Sequence, residues 1–215
     1  MWIIDLEQNS EEWYEARKGK ITGSKLKDII TKRGKSTKIG VYQLIADRVA
    51  TEPDDEDARD RGHRLEEEAI ALFEEKMDKI VERVGLVVSA DNANIALSPD
   101  GLIKIDGKYK EAVEVKCLNS ARHIEVIVEN LKAMDKKETT YVPNDIQDQA
   151  MQYFIVNPDL EKLHIIFYDP RIVAQPFVVA MITRDYWTEE QLELTKQYQI
   201  RTLDMVEMWV ERLTF

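Results

Sequence analysis

The chain has 215 residues, enough for one domain with a substantial core or for two small ones. Its 44% hydrophobic and 33% charged content is that of an ordinary soluble globular protein, and no apolar run approaches the roughly 20 residues that span a bilayer. The single cysteine excludes an internal disulfide, a four-cysteine zinc site and an iron–sulfur cluster bound within one chain.

The distribution of charge is more informative than its sum. A formal net charge of −11 argues against a nucleic-acid partner, yet residues 17–38 hold nine Lys or Arg and a single acid. Residues 52–57 then hold five acids and no base. Such a chain could bind phosphates on one basic surface while its outside repels them. The alternative is an ordinary solvated helix face.

The N-terminal part is predicted to be helical. Gly19 ends the first helix, and Arg17 and Ser24 flank the break, where N–H groups at a helix end could bind an anion. The N-terminal segment is too short in its apolar part, and too acidic, for a secretory signal, which favours a cytosolic protein. Helices are predicted over 10–18, from Thr22 or Ser24 onward, and over 39–49, and an acidic loop is predicted over 51–58.

A long central helix is predicted over Ala58–Lys79, followed by a strand over Val81–Ser89. Within the helix, Glu66 borders the apolar stripe that is expected to face the core. It could therefore contribute an acidic group to an interior site. The alternative is a solvated glutamate beside its two acidic neighbours.

The stretch after this strand predicts a β-hairpin. Two β-branched runs, 102–105 and 112–117, flank Asp106-Gly107, a pair that favours chain reversal. A tight turn at Pro99-Asp100-Gly101 leads into the first run. Side chains alternate along a strand, so two polar residues of the second run are expected on one face and its valines on the core face.

Those polar residues, Glu114 and Lys116, would lie near Asp100, which the hairpin brings close. Mg²⁺ usually takes one or two protein carboxylates and fills its shell with water and phosphate oxygens. A neighbouring lysine can orient or deprotonate a water and stabilise charge on a phosphate. The pattern fits metal-dependent phosphodiester hydrolysis. The alternative is that Glu114 and Lys116 are ordinary polar residues on the wet face of a strand.

The C-terminal half predicts two helices, two strands and a closing helix. The first helix, over 120–131, carries Arg122 in its first turn, where a cation opposes the helix dipole and so suggests an anionic partner. Its apolar residues are expected to face the core, namely Ile124, Ile127, Val128 and Leu131. The next helix, over 145–156, offers three glutamines, and the pattern leaves open which of Gln147, Gln149 and Gln152 faces the site. The remaining elements are predicted over 163–168, 177–182 and 189–213.

This order of elements predicts an α/β fold whose sheet is wrapped by helices. Since no segment resembles a linker and no repeat is visible, residues 1–215 are expected to form a single domain.

Six segments, taken in order, resemble the lambda exonuclease (YqaJ-type viral recombinase) family of the PD-(D/E)XK nuclease superfamily. They are WYEARKGKITGSKL (13–26), RGHRLEEEAIALFE (61–74), SPDGL (98–102), EVKC (114–117), QAMQYFIV (149–156) and YDPR (168–171). The resemblance covers nearly the whole chain. It implies a restriction-endonuclease-like fold with a mixed central sheet flanked by helices.

The resemblance also implies roles for individual residues. Asp100 and Glu114, with the backbone carbonyl of Val115, would bind Mg²⁺, for which Mn²⁺ is a possible substitute, and Glu66 would complete the metal site. Lys116 would handle the attacking water, and a glutamine of the Gln-containing helix would position Lys116 or the scissile phosphate. That glutamine is Gln149. A pocket for the 5′-phosphate of the degraded strand would be formed by Arg17, Ser24, Ser98 and Arg122. Asp91 lies near the family's additional loop acid without matching its spacing, and is not included.

The family's activity is 5′→3′ degradation of one strand of linear double-stranded DNA, which leaves 3′ single-stranded overhangs. The resemblance further implies a ring-shaped homotrimer around the DNA and a single-strand annealing protein as partner in phage recombination, in the cytoplasm of a bacterial host. Two alternatives remain: an endonuclease of restriction or repair type on the same fold, and a non-catalytic DNA-binding module. A phosphate-handling nucleotide enzyme is disfavoured because the chain lacks a glycine-rich phosphate loop.

Overall fold

A computed structural model describes residues 1–29, 60–118, 120–136 and 140–214. The predicted helix over 39–49 and the acidic loop over 51–58 lie outside these residues. Residues 30–38 of the basic segment 17–38 lie outside them as well.

Seven strands and six α-helices are found within the described ranges. The strands are β1 (Trp2–Ile4), β2 (Leu86–Val88), β3 (Ala96–Leu97), β4 (Gly101–Ile105), β5 (Lys108–Lys116), β6 (Lys162–Tyr168) and β7 (Phe177–Thr183). The helices are α1 (Glu11–Arg17), α2 (Gly23–Ile29), α3 (Asp60–Met77), α4 (Ser120–Lys136), α5 (Asn144–Val156) and α6 (Glu189–Leu213), with a short 3₁₀ turn at Arg184–Tyr186.

The central sheet is mixed, as predicted. Its strand order is β4-β5-β6-β7, with β5 and β6 parallel and the two outer pairs antiparallel. A second, antiparallel sheet of order β1-β2-β3 was not predicted. Its strands have only two or three residues each, too few for an alternating pattern to be recognised.

Strand β5 is buried on both faces of the central sheet. Ala112 belongs to the larger core cluster, together with Tyr153 and Phe154 of α5. The next residue, Val113, packs in a second cluster with Phe73 of α3. Because helices cover both faces here, a polar side chain near the end of β5 must lie among packed elements rather than in water.

The N-terminal helix ends where the sequence predicts. The Ser10 side chain caps α1 by accepting a hydrogen bond from the Trp13 N–H at 3.1 Å. The helix ends at Arg17, and Gly19 adopts a φ of 67°, a left-handed conformation that glycine accepts without steric cost.

The prediction for the buried face of α4 was wrong. The apolar residues expected to face the core lie toward solvent, with Ile124, Val128 and Leu131 all exposed and Ile127 half-buried. The buried face instead carries His123, Val126, Asn130 and Ala133.

The cause of this reversal is that polar side chains of α4 bind neighbouring backbone. Asn130 accepts a hydrogen bond from the Tyr141 N–H at 2.9 Å and donates to the Tyr141 carbonyl at 3.1 Å. The Nε2 atom of His123 lies 2.9 Å from the Gln175 carbonyl oxygen. These hydrogen bonds satisfy polar groups on the buried face and stabilise the observed rotation of the helix, which the hydrophobic pattern does not encode.

Element ends also differ from the predictions. Helix α4 continues to Lys136 instead of ending at 131, and the strand predicted over Val81–Ser89 is reduced to β2 with an isolated bridge at Glu82. In the part of the chain that the structure describes, no helix combines the length and apolar character needed to cross a membrane.

Candidate active site

The site lies where the turn before β4 meets the end of β5. Strand β4 begins at Gly101, which pairs with Val113, so no β4 residue pairs with the backbone of Val115. In place of a backbone partner from β4, the Asp100 carboxylate accepts a hydrogen bond from the Val115 N–H at 2.6 Å. The N–H and C=O of one strand residue point to the same side, so the Val115 carbonyl also faces Asp100.

Three side chains form a closed hydrogen-bonded group next to this contact. The ammonium of Lys116 donates to Glu114 Oε1 at 2.6 Å and to Gln149 Oε1 at 2.8 Å. Gln149 Nε2 also donates to Glu114 Oε1 at 2.6 Å. The period-two pattern therefore places Glu114 and Lys116 together as predicted, while their face is dry: Glu114 is only 5% exposed.

Tyr153 supplies the remaining contact to Glu114. Its hydroxyl donates to Glu114 Oε2 from the interior, and the ring lies one helical turn after Gln149 on α5. Burial, followed by the negative charges of Glu114 and Asp100, raises the pKa of Tyr153 well above its ordinary value. Tyr153 is therefore a neutral donor that fixes the glutamate from the side opposite Lys116.

The buried carboxylates act strongly on Asp100. Burial raises the pKa of Asp100 well above its ordinary value, and the charges of Glu114 and Glu66 raise it further, against the opposing effect of the Val115 N–H. The charges of three carboxylates therefore act on one another within a low-dielectric region.

The pKa of Lys116 is also raised, which for a lysine favours the charged form. Burial alone would lower the pKa of Lys116, but the charge and hydrogen bond of Glu114 outweigh it, so the pKa lies above its ordinary value. The side chain is therefore an ammonium ion in this arrangement, suited to donating hydrogen bonds and stabilising negative charge.

Glu66 lies at the edge of this group rather than inside it. Its Oε1 accepts a hydrogen bond from Arg83 Nη1 at 2.8 Å, and the same nitrogen donates to the Asp100 backbone carbonyl. The predicted third acid is thus near the other two, but it is paired with an arginine.

Two of the predicted phosphate-binding residues lie together. Arg17 Nη2 is 3.5 Å from Ser24 Oγ, and the guanidinium lies over the Trp13 ring, 4.1 Å from its centroid. At the start of α2, a Cβ placed on Gly23 would lie 3.1 Å from Gln149 Cγ. The first residues of α2, which include Ser24, therefore lie beside the hydrogen-bonded group.

The other two predicted phosphate-binding residues have different surroundings. The Ser98 hydroxyl is buried, and it has no hydrogen-bond partner among the residues that the structure describes. Arg122 donates to Glu125 at 2.9 Å and to Asp145 at 2.8 Å, so its expected anionic partners are carboxylates of the same chain. Asp145 also acts electrostatically on Lys116, which places Arg122 toward the same end of α5.

The remaining candidates separate clearly. Asp91 pairs with Lys196 at the surface and contacts none of the site residues. Among the three glutamines, Gln147 donates to the Val142 carbonyl and Gln152 bonds with Gln199 in the core, so Gln149 is the one that reaches the site.

The donor set suits a hard divalent cation. Asp100 and Glu114 are two carboxylates whose charge is poorly solvated, and the Val115 carbonyl faces the same space. Across the described residues, no three His, Cys, Asp or Glu side chains form a metal-binding group by themselves. The arrangement therefore fits an ion that takes two carboxylates and completes its shell with other oxygens.

Comparison with known proteins identifies the family of this chain. The profile of the YqaJ-like viral recombinase domain matches residues 12–156. The chain belongs to the YqaJ-like viral recombinase family. No protein with a curated description has a significantly matching sequence.

Solved structures show the same fold as this YqaJ-like chain. LHK-Exo, an alkaline exonuclease from Laribacter hongkongensis, is 25% identical, with a TM-score of 0.80 over 95% of this chain and 96% of that one. Its complex with dAMP gives a TM-score of 0.79 at the same identity and coverage. A phage related exonuclease from Haemophilus somnus 129PT is 14% identical, with a TM-score of 0.62 over 91% and 95% of the two chains, a likeness of fold alone. The fold is of the PD-(D/E)XK type, as predicted.

Sequence reasoning missed two residues of the site in this YqaJ-like chain. Tyr153 fits the apolar pattern of α5 and so gives no separate signal, although its position four residues after Gln149 places both on one face of the helix. Arg83 carries no pattern that would reveal it, because it lies in a loop and reaches the site only through tertiary contacts.

Proposed function

We propose that this protein is a divalent-cation-dependent exonuclease that degrades one strand of linear double-stranded DNA in the 5′→3′ direction and leaves 3′ single-stranded overhangs. The observation that carries the proposal is the buried group in which Lys116 and Gln149 bind one oxygen of Glu114, beside the Asp100 carboxylate. Family membership supports it, as does the likeness to an alkaline exonuclease that binds dAMP, a nucleoside monophosphate of the kind such an enzyme releases.

In this proposal Asp100, Glu114 and the Val115 carbonyl hold Mg²⁺, with Glu66 as a further carboxylate and Mn²⁺ as a substitute ion. A bound divalent cation supplies Lewis-acid stabilisation of the phosphate and lowers the pKa of water. The buried negative charge around Asp100 supports this assignment, since a cation would relieve it.

Lys116 acts on the reacting phosphate. In hydrolysis the oxygen of a water forms a new bond to phosphorus while the bond from phosphorus to the 3′-oxygen breaks, and negative charge develops on the phosphate oxygens. An ammonium held by Glu114 and Gln149 can donate to those oxygens without first having to reorganise. Gln149 is accordingly a positioning residue for Lys116.

The 5′-phosphate of the degraded strand is proposed to bind Arg17, Ser24, Ser98 and Arg122. The Trp13 ring holds the Arg17 guanidinium beside Ser24, and a planar guanidinium matches phosphate oxygens well. The Ser98 hydroxyl, which has no hydrogen-bond partner within the described ranges, would donate to a phosphate oxygen.

The wider assignment follows from the family resemblance. It comprises a single catalytic domain over 1–215, a ring-shaped homotrimer, a single-strand annealing protein as partner, and a phage or prophage origin with activity in the bacterial cytoplasm.

The test compares three substrates with and without Mg²⁺: 5′-phosphorylated linear duplex, 5′-hydroxyl linear duplex and closed circular DNA. We expect rapid release of nucleotides from the phosphorylated linear duplex alone, and only with the cation. Asp100→Asn should lower the rate on the order of 10³-fold or more, because a carboxylate that binds the cation is lost.

The matched control is Asp91→Asn, which removes an exposed acid outside the site and should leave the rate unchanged. Cleavage of closed circles would instead indicate an endonuclease. DNA binding without any cation-dependent release of nucleotides would indicate a non-catalytic module. An Asp100→Asn protein with the parent rate would refute the assignment of the site.

A further inference from the structure

Arg83 is brought to the site by the antiparallel bridge between Glu82 and Leu102. Glu82 and Leu102 exchange two backbone hydrogen bonds of 2.8 and 2.9 Å, which place the following residue, Arg83, beside the turn that carries Asp100. This bridge requires Gly101, because a Cβ there would lie 2.1 Å from Val81 Cγ1. The position of Arg83 is thus fixed by the backbone.

The guanidinium of Arg83 contacts the Glu66 carboxylate and the backbone of Asp100. Nη1 donates to Glu66 Oε1 at 2.8 Å and to the Asp100 carbonyl. The Arg83 side chain is 44% exposed, whereas that of Glu66 is 17% exposed. Because the Arg83 side chain is nearly half exposed, its guanidinium can be hydrated when Glu66 takes another partner.

Glu66 is close enough to act on the other acids without being grouped with them. Its carboxylate and the Asp100 backbone carbonyl accept hydrogen bonds from the same nitrogen of Arg83. Yet among the residues with described positions, Glu66 does not join Asp100 and Glu114 in a three-carboxylate group. At the edge of the group, Glu66 Oε1 accepts a hydrogen bond from Arg83 Nη1.

We propose that Arg83 is a positioning residue that competes with the divalent cation for Glu66. It pairs with Glu66 in the cation-free protein and releases that carboxylate when the cation binds. The inference rests on the proposed function, since it concerns the same cation site. Arg83 therefore weakens cation binding in two ways, by occupying one carboxylate and by placing a positive charge nearby.

The test measures binding of Mn²⁺ alone to the full chain, by the loss of the free-ion electron paramagnetic resonance signal, followed by displacement with Mg²⁺. Arg83→Gln and Arg83→Met remove the charge and should each bind Mn²⁺ on the order of tenfold more tightly than the parent, equivalent to about 1.4 kcal/mol. Arg83→Lys keeps the charge and should remain close to the parent.

Two controls separate competition from a general change in charge. Lys104→Gln removes a half-exposed cation that pairs with Glu82, and should leave Mn²⁺ binding unchanged. In a Glu66→Gln background, Arg83→Gln should lose most of its effect, since no carboxylate remains to compete for. Thermal unfolding followed by circular dichroism establishes that each variant is folded. If Arg83→Gln does not fold, Mn²⁺ binding by Arg83→Met is the measurement that decides between competition and its absence.

Equal or weaker Mn²⁺ binding by a folded charge-removing variant would overturn the inference and leave the proposed function intact. If the parent itself binds no Mn²⁺ and Asp100→Asn behaves identically, the cation site and the proposed function both fail. Tighter binding that persists undiminished in the Glu66→Gln background would overturn the competition for Glu66.

Discussion

The hydroxyl of Tyr153 allows a direct test of how the buried Glu114 carboxylate is held. Tyr153→Phe removes this single oxygen and keeps the ring, which is 2% exposed and packed in the core. In the part of the chain that the structure describes, Glu114 Oε2 accepts a hydrogen bond from Tyr153 alone, while Oε1 retains Lys116 and Gln149. The substitution therefore leaves half of a buried carboxylate without a donor.

The expected loss follows from this geometry. Hydrogen bonds to charged groups contribute about 1.5–3 kcal/mol, and the full penalty applies when the remaining partner stays buried. For a chain of this size each kcal/mol shifts the melting temperature by about 2–4 °C, so the variant should melt about 3–12 °C below the parent. Under the proposed function a bound Mg²⁺ would compensate the buried charge of Glu114, so this deficit should shrink when the cation is present.

Urea unfolding at pH 8, with and without Mg²⁺, measures the difference in the free energy of unfolding between the variant and the parent. Tyr14→Phe is the matched control, since it removes the hydroxyl of an exposed tyrosine and should change the free energy of unfolding by less than about 0.5 kcal/mol. If Tyr153→Phe were as stable as that control, the hydroxyl would not be holding Glu114 and the reasoning would be refuted.

Two further predictions concern Gly23 and His164. Gly23→Ala should lower the nuclease rate several-fold, because the added Cβ would lie 3.1 Å from Gln149 Cγ. It should not lower stability, since alanine favours the helix. An unchanged rate in a steady-state digest would show that Gln149 moves aside without affecting the reaction. Burial lowers the pKa of His164, against the hydrogen bond to Glu111, so the unfolded chain takes up a proton near pH 6.5 while the folded protein resists it. Stability contributed by this group is therefore present above pH 6.5 and lost as the pH falls below it. Urea unfolding measures the drop in the free energy of unfolding between pH 8 and pH 5.5, and this drop should be smaller for His164→Gln than for the parent. Equal drops in the two proteins would contradict the assignment.

The local parts of the site could be predicted from the sequence. The Asp-Gly pair and the β-branched runs predict the hairpin, and the two-residue period places Glu114 and Lys116 on one face. The turn at 99–101 brings Asp100 near them. Each of these relations involves residues close in the chain, where backbone preferences alone decide the geometry.

The rest depends on contacts between distant segments. Nothing in the sequence shows that the Glu114 face is dry, since its burial comes from α5 and from the parallel neighbour β6. The choice of Gln149 among three glutamines depends on how α5 is rotated by packing. For α4 the hydrophobic pattern predicts the wrong face, because hydrogen bonds from His123 and Asn130 to neighbouring loops outweigh it.

The parallel pairing of β5 with β6 has a consequence for the order of assembly. The hairpin of β4 and β5 can close from local contacts, whereas β6 joins β5 only after the chain has passed through α4 and α5. Until those helices dock, Glu114 remains hydrated and Lys116 has no glutamine to hold it. A growing polypeptide therefore carries the hairpin before α5 and β6 exist, and the buried group can form only when the crossover closes.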